Sequence, residues 1–190
     1  MTVALLLLAS YLVGSCNFSI AVLRLGGFPD PRTKHSGNAG TSNVARIAGR
    51  PVAALVLALE LARSIAVYQV ARRFAGPEAV PWAGLALLLG NRLPLFHRFR
   101  GGKGVATYLG FIGAAEPWLA LAACAVWLVT YLVGRIVAIA SMAMLAVLAA
   151  AAIHTWPTTT STVVATVLSA MLILFGHRSN LAALRKTNPT

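Results

Sequence analysis

An all-helical integral membrane protein with about seven crossings is the fold class that three observations predict. The 190-residue chain is 58% hydrophobic and only 11% charged, apolar runs recur to its end, and nearly all its cations fall on one side of those runs. A soluble domain is about a quarter charged. This chain lacks the polar surface to cover itself, so its predicted solvent is the bilayer.

A crossing needs about 20 mainly apolar residues. The runs at 3–23, 51–70, 80–96, 118–133, 136–153 and 158–175 come near that length. Because they recur throughout, the first is a poor match to a cleaved signal peptide. The run at 105–115 is shorter and fits a half-span, a re-entrant turn or a short tilted helix. Arg135 divides an otherwise continuous run from Trp118 to Ile153, which predicts a tight turn at one membrane face. No repeat or low-complexity segment appears, and 1–190 reads as one transmembrane unit.

The cations orient the chain. With the 23–51 connection in the cytoplasm and 105–115 counted as a crossing, that face receives thirteen of the sixteen Lys and Arg residues. They are Arg24, Arg32, Lys34, Arg46 and Arg50, then Arg92, Arg98, Arg100 and Lys103, then Arg135, and finally Arg178, Arg185 and Lys186. Arg72 and Arg73 fall outside and Arg63 lies within a run. By the positive-inside rule this predicts an external N-terminus, a cytoplasmic C-terminus and one short helix. Without the short crossing, Arg135 and the basic tail would move to the opposite face.

The net charge of +12 is compatible with nucleic acid, anionic lipid or phosphorylated substrates. Nucleic acid is a poor fit, because the cations sit in short loops at a membrane face. Cys16 and Cys124 lie in apolar runs without metal-ligand spacing and read as small buried hydrophobes.

Three polar clusters interrupt the apolar chain, all on the predicted cytoplasmic face. In the first, Ser36, Gly37, Asn38, Gly40, Thr41, Ser42 and Asn43 form a run of small hydrogen-bonding residues. Glycines let successive backbone N–H groups turn inward as an anion nest, and Arg46 can add a planar fork for phosphate. The same residues would also make an ordinary turn before a helix, with Thr41, Ser42 or Asn43 as its N-cap. In the second, Gly101, Gly102 and Gly104 flank Lys103 just before an apolar run. A glycine turn feeding a helix N-terminus is a phosphate site to which lysine adds a point charge. It is not a nucleotide P-loop, since the four-residue spacing is missing and Val105 stands where Ser or Thr would bind magnesium. The third is His177 with Asn180 one turn later, where the imidazole can act as base or phosphate donor. Glu60 and Arg63, one turn apart inside a crossing, read as an internal ion pair. Asn91, Arg92 and Pro94 end the third run and shape entry to the glycine loop.

At these residues the chain resembles the bacterial integral-membrane glycerol-3-phosphate acyltransferases that use acyl-phosphate donors. The motif S-G-N-x-G-x-x-N-x-x-R matches Ser36, Gly37, Asn38, Gly40, Asn43 and Arg46. F-x-G-G-K-G-V-A-T matches Phe99, Gly101, Gly102, Lys103, Gly104, Val105, Ala106 and Thr107, and H-R-x-N matches His177, Arg178 and Asn180. Ser141, in the stretch after Arg135, falls on a serine of the family's substrate site. The chain departs from the family's usual Asp, Lys and Gly at Glu60, Arg63 and Ser64, its histidine at Asn91, its glycine at His35 and its Ala-Thr at Thr41-Ser42. Cys16-Asn17 is also unusual.

The resemblance implies acyl transfer from acyl phosphate to the 1-hydroxyl of sn-glycerol 3-phosphate, giving lysophosphatidic acid and phosphate at the cytoplasmic face of the inner membrane. On this reading 36–43 holds the donor phosphate. Arg46, Lys103, His177, Asn180 and Ser141 hold the glycerol phosphate. His177, Asn180, Ser36 and Arg46 are the catalytic candidates, and Gly37, Asn38, Gly40, Thr41, Asn43, Gly101, Gly102, Lys103, Gly104 and Ser141 are the substrate-binding ones. His177 and a substrate phosphate both stand as general base. No metal, nucleotide or other cofactor is expected, and membrane lipids are the surroundings. A transporter of phosphorylated metabolites would need polar residues at the midplane, where only Glu60 and Arg63 stand out. A binder of anionic lipid would explain the charge but not the three glycine- and amide-rich motifs.

Overall fold

The structure, a computed structural model, describes residues 2–180 and 182. Arg185 and Lys186, two of the cations assigned to the cytoplasmic face, lie outside the described residues. Among those described there are eight α-helices and no strand: α1 (Val3–Ser15), α2 (Phe18–Leu25), α3 (Thr41–Phe74), α4 (Val80–Arg92), α5 (Val105–Ala115), α6 (Pro117–Gly134), α7 (Val137–Thr155) and α8 (Thr160–Gly176). Four stretches are long and apolar enough to cross a membrane, namely Val3–Leu25, Thr41–Phe74, Pro117–Gly134 and Val137–Thr155. With α4 and the shorter α5 and α8, the seven apolar runs become seven helical stretches. Large apolar side chains face outward along them, including Leu121, Val129, Val133, Met171 and Phe175. Water would penalise such a surface; lipid does not.

Three boundaries differ from the hydropathy pattern, each for a local reason. The first run is broken at Cys16 and Asn17, because the Asn17 side chain accepts from the Ile20 N–H at 3.1 Å and caps a new helix, α2. An asparagine side chain can compete for nearby backbone groups in this way. The second run is the later part of a longer helix, α3. That helix starts at Thr41 and crosses a break at Gly49, whose φ of +86° suits glycine, just before Pro51. The third ends at Arg92 rather than Phe96. Pro94 disfavours helix at the residue before it, and a 3₁₀ turn, Leu95–His97, follows.

Close helix contact depends on missing side chains. A Cβ at Gly14 would lie 2.2 Å from the Leu87 carbonyl oxygen, and one at Gly90 would lie 2.1 Å from that of Tyr11, so α1 and α4 meet backbone to backbone. The main core gathers Tyr68, Phe111, Leu148, Trp156 and Ile173, with Tyr68 edge-on to Phe111 at 5.5 Å between centroids. Helix α5 lies within this core. Its 11 residues rise only about 16 Å, roughly half a hydrocarbon layer of about 30 Å. The preceding loop completes it by folding back on α4, with Gly101 N–H donating to the Arg92 carbonyl and Gly102 N–H to that of Asn91.

Candidate active site

Nearly all the residues singled out in the sequence meet at one cavity of about 430 Å³. Ser36, Asn38, Gly40, Thr41, Asn43, Arg46, Gly102, Lys103, Gly104, Ser141, His177 and Asn180 all line it. Gly37 and Gly101 do not. Gly37 turns the loop at φ +64°. At Gly101 a Cβ would lie 2.0 Å from the Asn91 carbonyl oxygen, so it is the backbone approach that requires glycine there. Both shape the site from behind its wall.

Two helix N-termini face this cavity. Helices α3 and α5 begin after Gly40 and Gly104, and neither N-cap offers a side-chain hydrogen bond. Thr41, Ser42 and Asn43 are therefore not caps; they sit inside the first turn, and first-turn N–H groups lack helical partners. Uncapped, such ends favour anions. The two loops also touch, since a Cβ at Gly102 would lie 2.7 Å from the Ala39 carbonyl oxygen. Asn43 is committed to its own loop. Its amide donates to the carbonyls of Pro31 at 2.7 Å, Asn38 at 3.0 Å and Lys34 at 3.2 Å, while its oxygen accepts from Ser36 N–H at 3.4 Å. It builds the nest rather than gripping what the nest holds.

The charges follow. Lys103 Nζ donates to Asn180 Oδ1 at 2.5 Å, which joins the second and third motifs. Burial, with Arg92 and then Arg46 nearby, pushes the Lys103 pKa down to about 8. Arg92 thus belongs to the cation cluster, although its sequence position suggested only a role at the loop entry. His177 is buried, and its Nδ1 lies 2.9 Å from the Ile173 carbonyl oxygen. A carbonyl accepts only, so Nδ1 carries the hydrogen and Nε2 presents its lone pair. Burial pushes the imidazole pKa down to about 4; the Ile173 contact opposes this, while Lys103 and Arg92 add to it. The ring is neutral near pH 7.

A buried polar network underlies the cavity. Glu60 and Arg63 form the internal ion pair that their spacing predicts. Arg63 also donates to the carbonyls of Gly14 at 3.1 Å and Cys16 at 2.5 Å, to Thr107 Oγ1 at 3.2 Å and to Asn91 Oδ1 at 3.4 Å. Asn17 donates to the same Asn91 oxygen at 3.3 Å. The Asn91 main chain holds Gly102, so the network ties the α1–α2 break to the glycine loop. Cys16-Asn17, Glu60, Arg63 and Asn91, separate departures in the sequence, are one structural unit. The sequence signalled the Glu60–Arg63 pair by its spacing, but nothing local signalled its links to Asn17 and Asn91. The cavity lining also includes apolar side chains, among them Ala53, Leu57, Leu109, Cys124, Trp127 and Met144. There Trp127 Nε1 donates to Ser141 Oγ at 3.4 Å.

The glycerol-3-phosphate acyltransferase family matches residues 4–187. The chain belongs to that family. It is 40% identical to the glycerol-3-phosphate acyltransferase of Pseudomonas putida strain GB-1, with 93% of each chain covered. It is 38% identical to that of Neisseria meningitidis serogroup C, covering 92% of this chain and 90% of the relative. Its fold is similar to PlsY (YgiH), an integral membrane glycerol 3-phosphate acyltransferase, in its glycerol 3-phosphate form. The TM-score is 0.89 at 31% identity, over 99% of this chain and 94% of the other. The lysophosphatidic acid form of PlsY matches with a TM-score of 0.85 at 29% identity and the same coverage. Family membership agrees with the helical, outwardly apolar architecture: this is an integral membrane protein.

Proposed function

We propose that the protein transfers an acyl group from an acyl phosphate to the 1-hydroxyl of sn-glycerol 3-phosphate. The products are lysophosphatidic acid and inorganic phosphate, and the reaction is the first step of phospholipid synthesis. One observation carries this reading: two uncapped helix N-termini and the cations Arg46 and Lys103 converge on a cavity whose lining divides into this polar set and a set of apolar side chains. Two phosphates and one lipid tail match that division. The names of the relatives and of the two PlsY structures support the glycerol 3-phosphate acceptor.

The chemistry needs little from the protein beyond placement and charge. The α3 nest, with Ser36, receives the donor phosphate, and Arg46, Lys103, His177, Asn180 and Ser141 receive the glycerol phosphate. The 1-hydroxyl oxygen attacks the acyl carbon, the carbon–oxygen bond to phosphate breaks, and the nest stabilises the charge that gathers on the leaving group. The hydroxyl proton passes to His177 Nε2, whose lone pair the Ile173 contact exposes. A phosphate dianion bound beside the imidazole raises its proton affinity. No acyl-enzyme is required, because the donor is already activated and positioning supplies much of the rate.

The test is turnover by purified protein in detergent, with acyl phosphate and acyl-CoA compared as donors. Acyl phosphate should yield lysophosphatidic acid and phosphate in equal amounts. Product from acyl-CoA alone would reject the donor, and no product from either would reject the reaction.

Lys103 gives a pH dependence whose sign is determined. Its pKa is lowered, so the cation is present below about 8 and lost above it. The kcat/KM for glycerol 3-phosphate should fall as pH rises past that value, because this ratio reports the free enzyme. Arginine stays charged, so Lys103→Arg should lack this limb. The substrate phosphate titrates near pH ~6 and contributes equally to both profiles. Lys103→Ala should weaken apparent affinity roughly ten- to a hundredfold, as expected for one charged hydrogen bond. An unchanged Michaelis constant in the folded variant would remove Lys103 from the site.

The cation asymmetry supports an active face on the cytoplasmic side of the membrane, and the bacterial relatives support an inner membrane. A reporter fused after Thr190 should read as cytoplasmic and one inserted between Arg73 and Val80 as external. Both on one side would refute the seven-crossing arrangement.

A further inference from the structure

Nine buried serine and threonine hydroxyls occur among the described residues, and Ser19 is the one without a hydrogen-bond partner. The reason is local. A buried helical hydroxyl commonly returns to the carbonyl four residues earlier. Ser10 does so to Leu6, Ser15 to Tyr11, Ser64 to Glu60 and Ser169 to Ala165. For Ser19 that carbonyl belongs to Ser15, across the break between α1 and α2, where it accepts from the Asn17 N–H instead. The break therefore frees one hydroxyl. A buried hydroxyl without a partner is costly, yet Ser19 is only 1% exposed and lines the cavity.

Its neighbours indicate which part of the cavity it serves. Asn17, two residues before, donates to the Ala39 carbonyl at 3.5 Å. The start of α2, which carries Ser19, thus lies against the 36–40 loop. We propose that the Ser19 hydroxyl is a further binding residue for the acyl donor and donates a hydrogen bond to an oxygen of its acyl-phosphate group. This rests on the function proposed above, in which that loop holds the donor.

The experiment compares wild type, Ser19→Ala and Ser19→Thr in detergent. It measures binding of a non-hydrolysable acyl phosphonate, Michaelis constants for both substrates, and the melting temperature of ligand-free protein. Ser19→Ala should weaken phosphonate binding and raise the Michaelis constant for acyl phosphate roughly three- to tenfold, the worth of one neutral hydrogen bond. The constant for glycerol 3-phosphate should stay as it is, and the ligand-free melting temperature should hold or rise, because an unpaired polar group has been removed. Ser19→Thr, which keeps the hydroxyl, should stay nearer wild type. Equal phosphonate affinity in wild type and Ser19→Ala would overturn the assignment and leave the hydroxyl to water. A change confined to glycerol 3-phosphate, or a drop in melting temperature without a change in donor binding, would overturn it too. Wild type that binds phosphonate without turning over acyl phosphate would defeat the proposed reaction alone, and the binding comparison would still decide Ser19. Wild type that does neither would defeat both.

Discussion

Arg63→Met should destabilise the folded protein by about 3–5 kcal/mol, the usual cost of stranding one member of a buried ion pair. Arg63 and Glu60 are 6% and 4% exposed, so neither can turn to solvent when its partner is removed. Arginine here does more than neutralise a carboxylate. It satisfies the carbonyls of Gly14 and Cys16 where α1 breaks, and Asn91 and Thr107 beside the glycine loop. Methionine keeps much of the volume and removes every donor. Adding Glu60→Gln should recover a large part of the loss, because the stranded charge goes with it, while the unpaired carbonyls remain. The measurement is unfolding of both variants in the same detergent. A single variant that melts like wild type would mean that the pair contributes nothing to the fold.

His177→Ala should lower kcat by roughly 10²–10⁴, the typical contribution of a positioned base. The Michaelis constant for glycerol 3-phosphate should move less, because Lys103 and Asn180, the residues proposed to hold its phosphate, remain. His177→Gln should be similarly slow, since its amide fills space and makes hydrogen bonds but cannot take up the proton. The free imidazole is lowered to about 4 and is neutral above that pH. Wild-type kcat/KM should therefore show no acid limb from this residue between pH ~5 and ~7. A folded His177→Ala that retains kcat within tenfold would transfer the base to a substrate phosphate.

Asn91 shows how a departure can be read once its surroundings are known. The resemblance in the sequence implies a histidine at this position, and the sequence reading gives Asn91 a part in shaping entry to the glycine loop. Here its side-chain oxygen accepts from Asn17 and Arg63, and its main-chain oxygen accepts from Gly102. An amide oxygen can take two donors at once. These contacts make Asn91 an orienting residue for the glycine loop.

The sequence by itself determined the class of the protein. Hydropathy counts residues against a fixed membrane thickness, and that count needs no tertiary contact. It likewise marked the three motifs, because glycine, small polar residues and cations stand out between apolar runs. Helix breaks were less legible. Asn17, Gly49 and Pro94 act through local hydrogen bonding or φ, which an average over twenty residues smooths away. The assembly of the site was left to the tertiary structure. Lys103 meets Asn180 across 77 positions and Asn17 meets Asn91 across 74, and no local pattern encodes such pairings. They follow from how α4, α5 and α8 pack, which depends on absent side chains at Gly14, Gly90 and Gly102 as much as on those present. The same packing committed the Asn43 amide to its own loop and left Gly101 outside the cavity that Lys103 lines. In sequence both kinds look alike, because a polar group that holds a loop and one that holds a ligand differ only in what lies opposite.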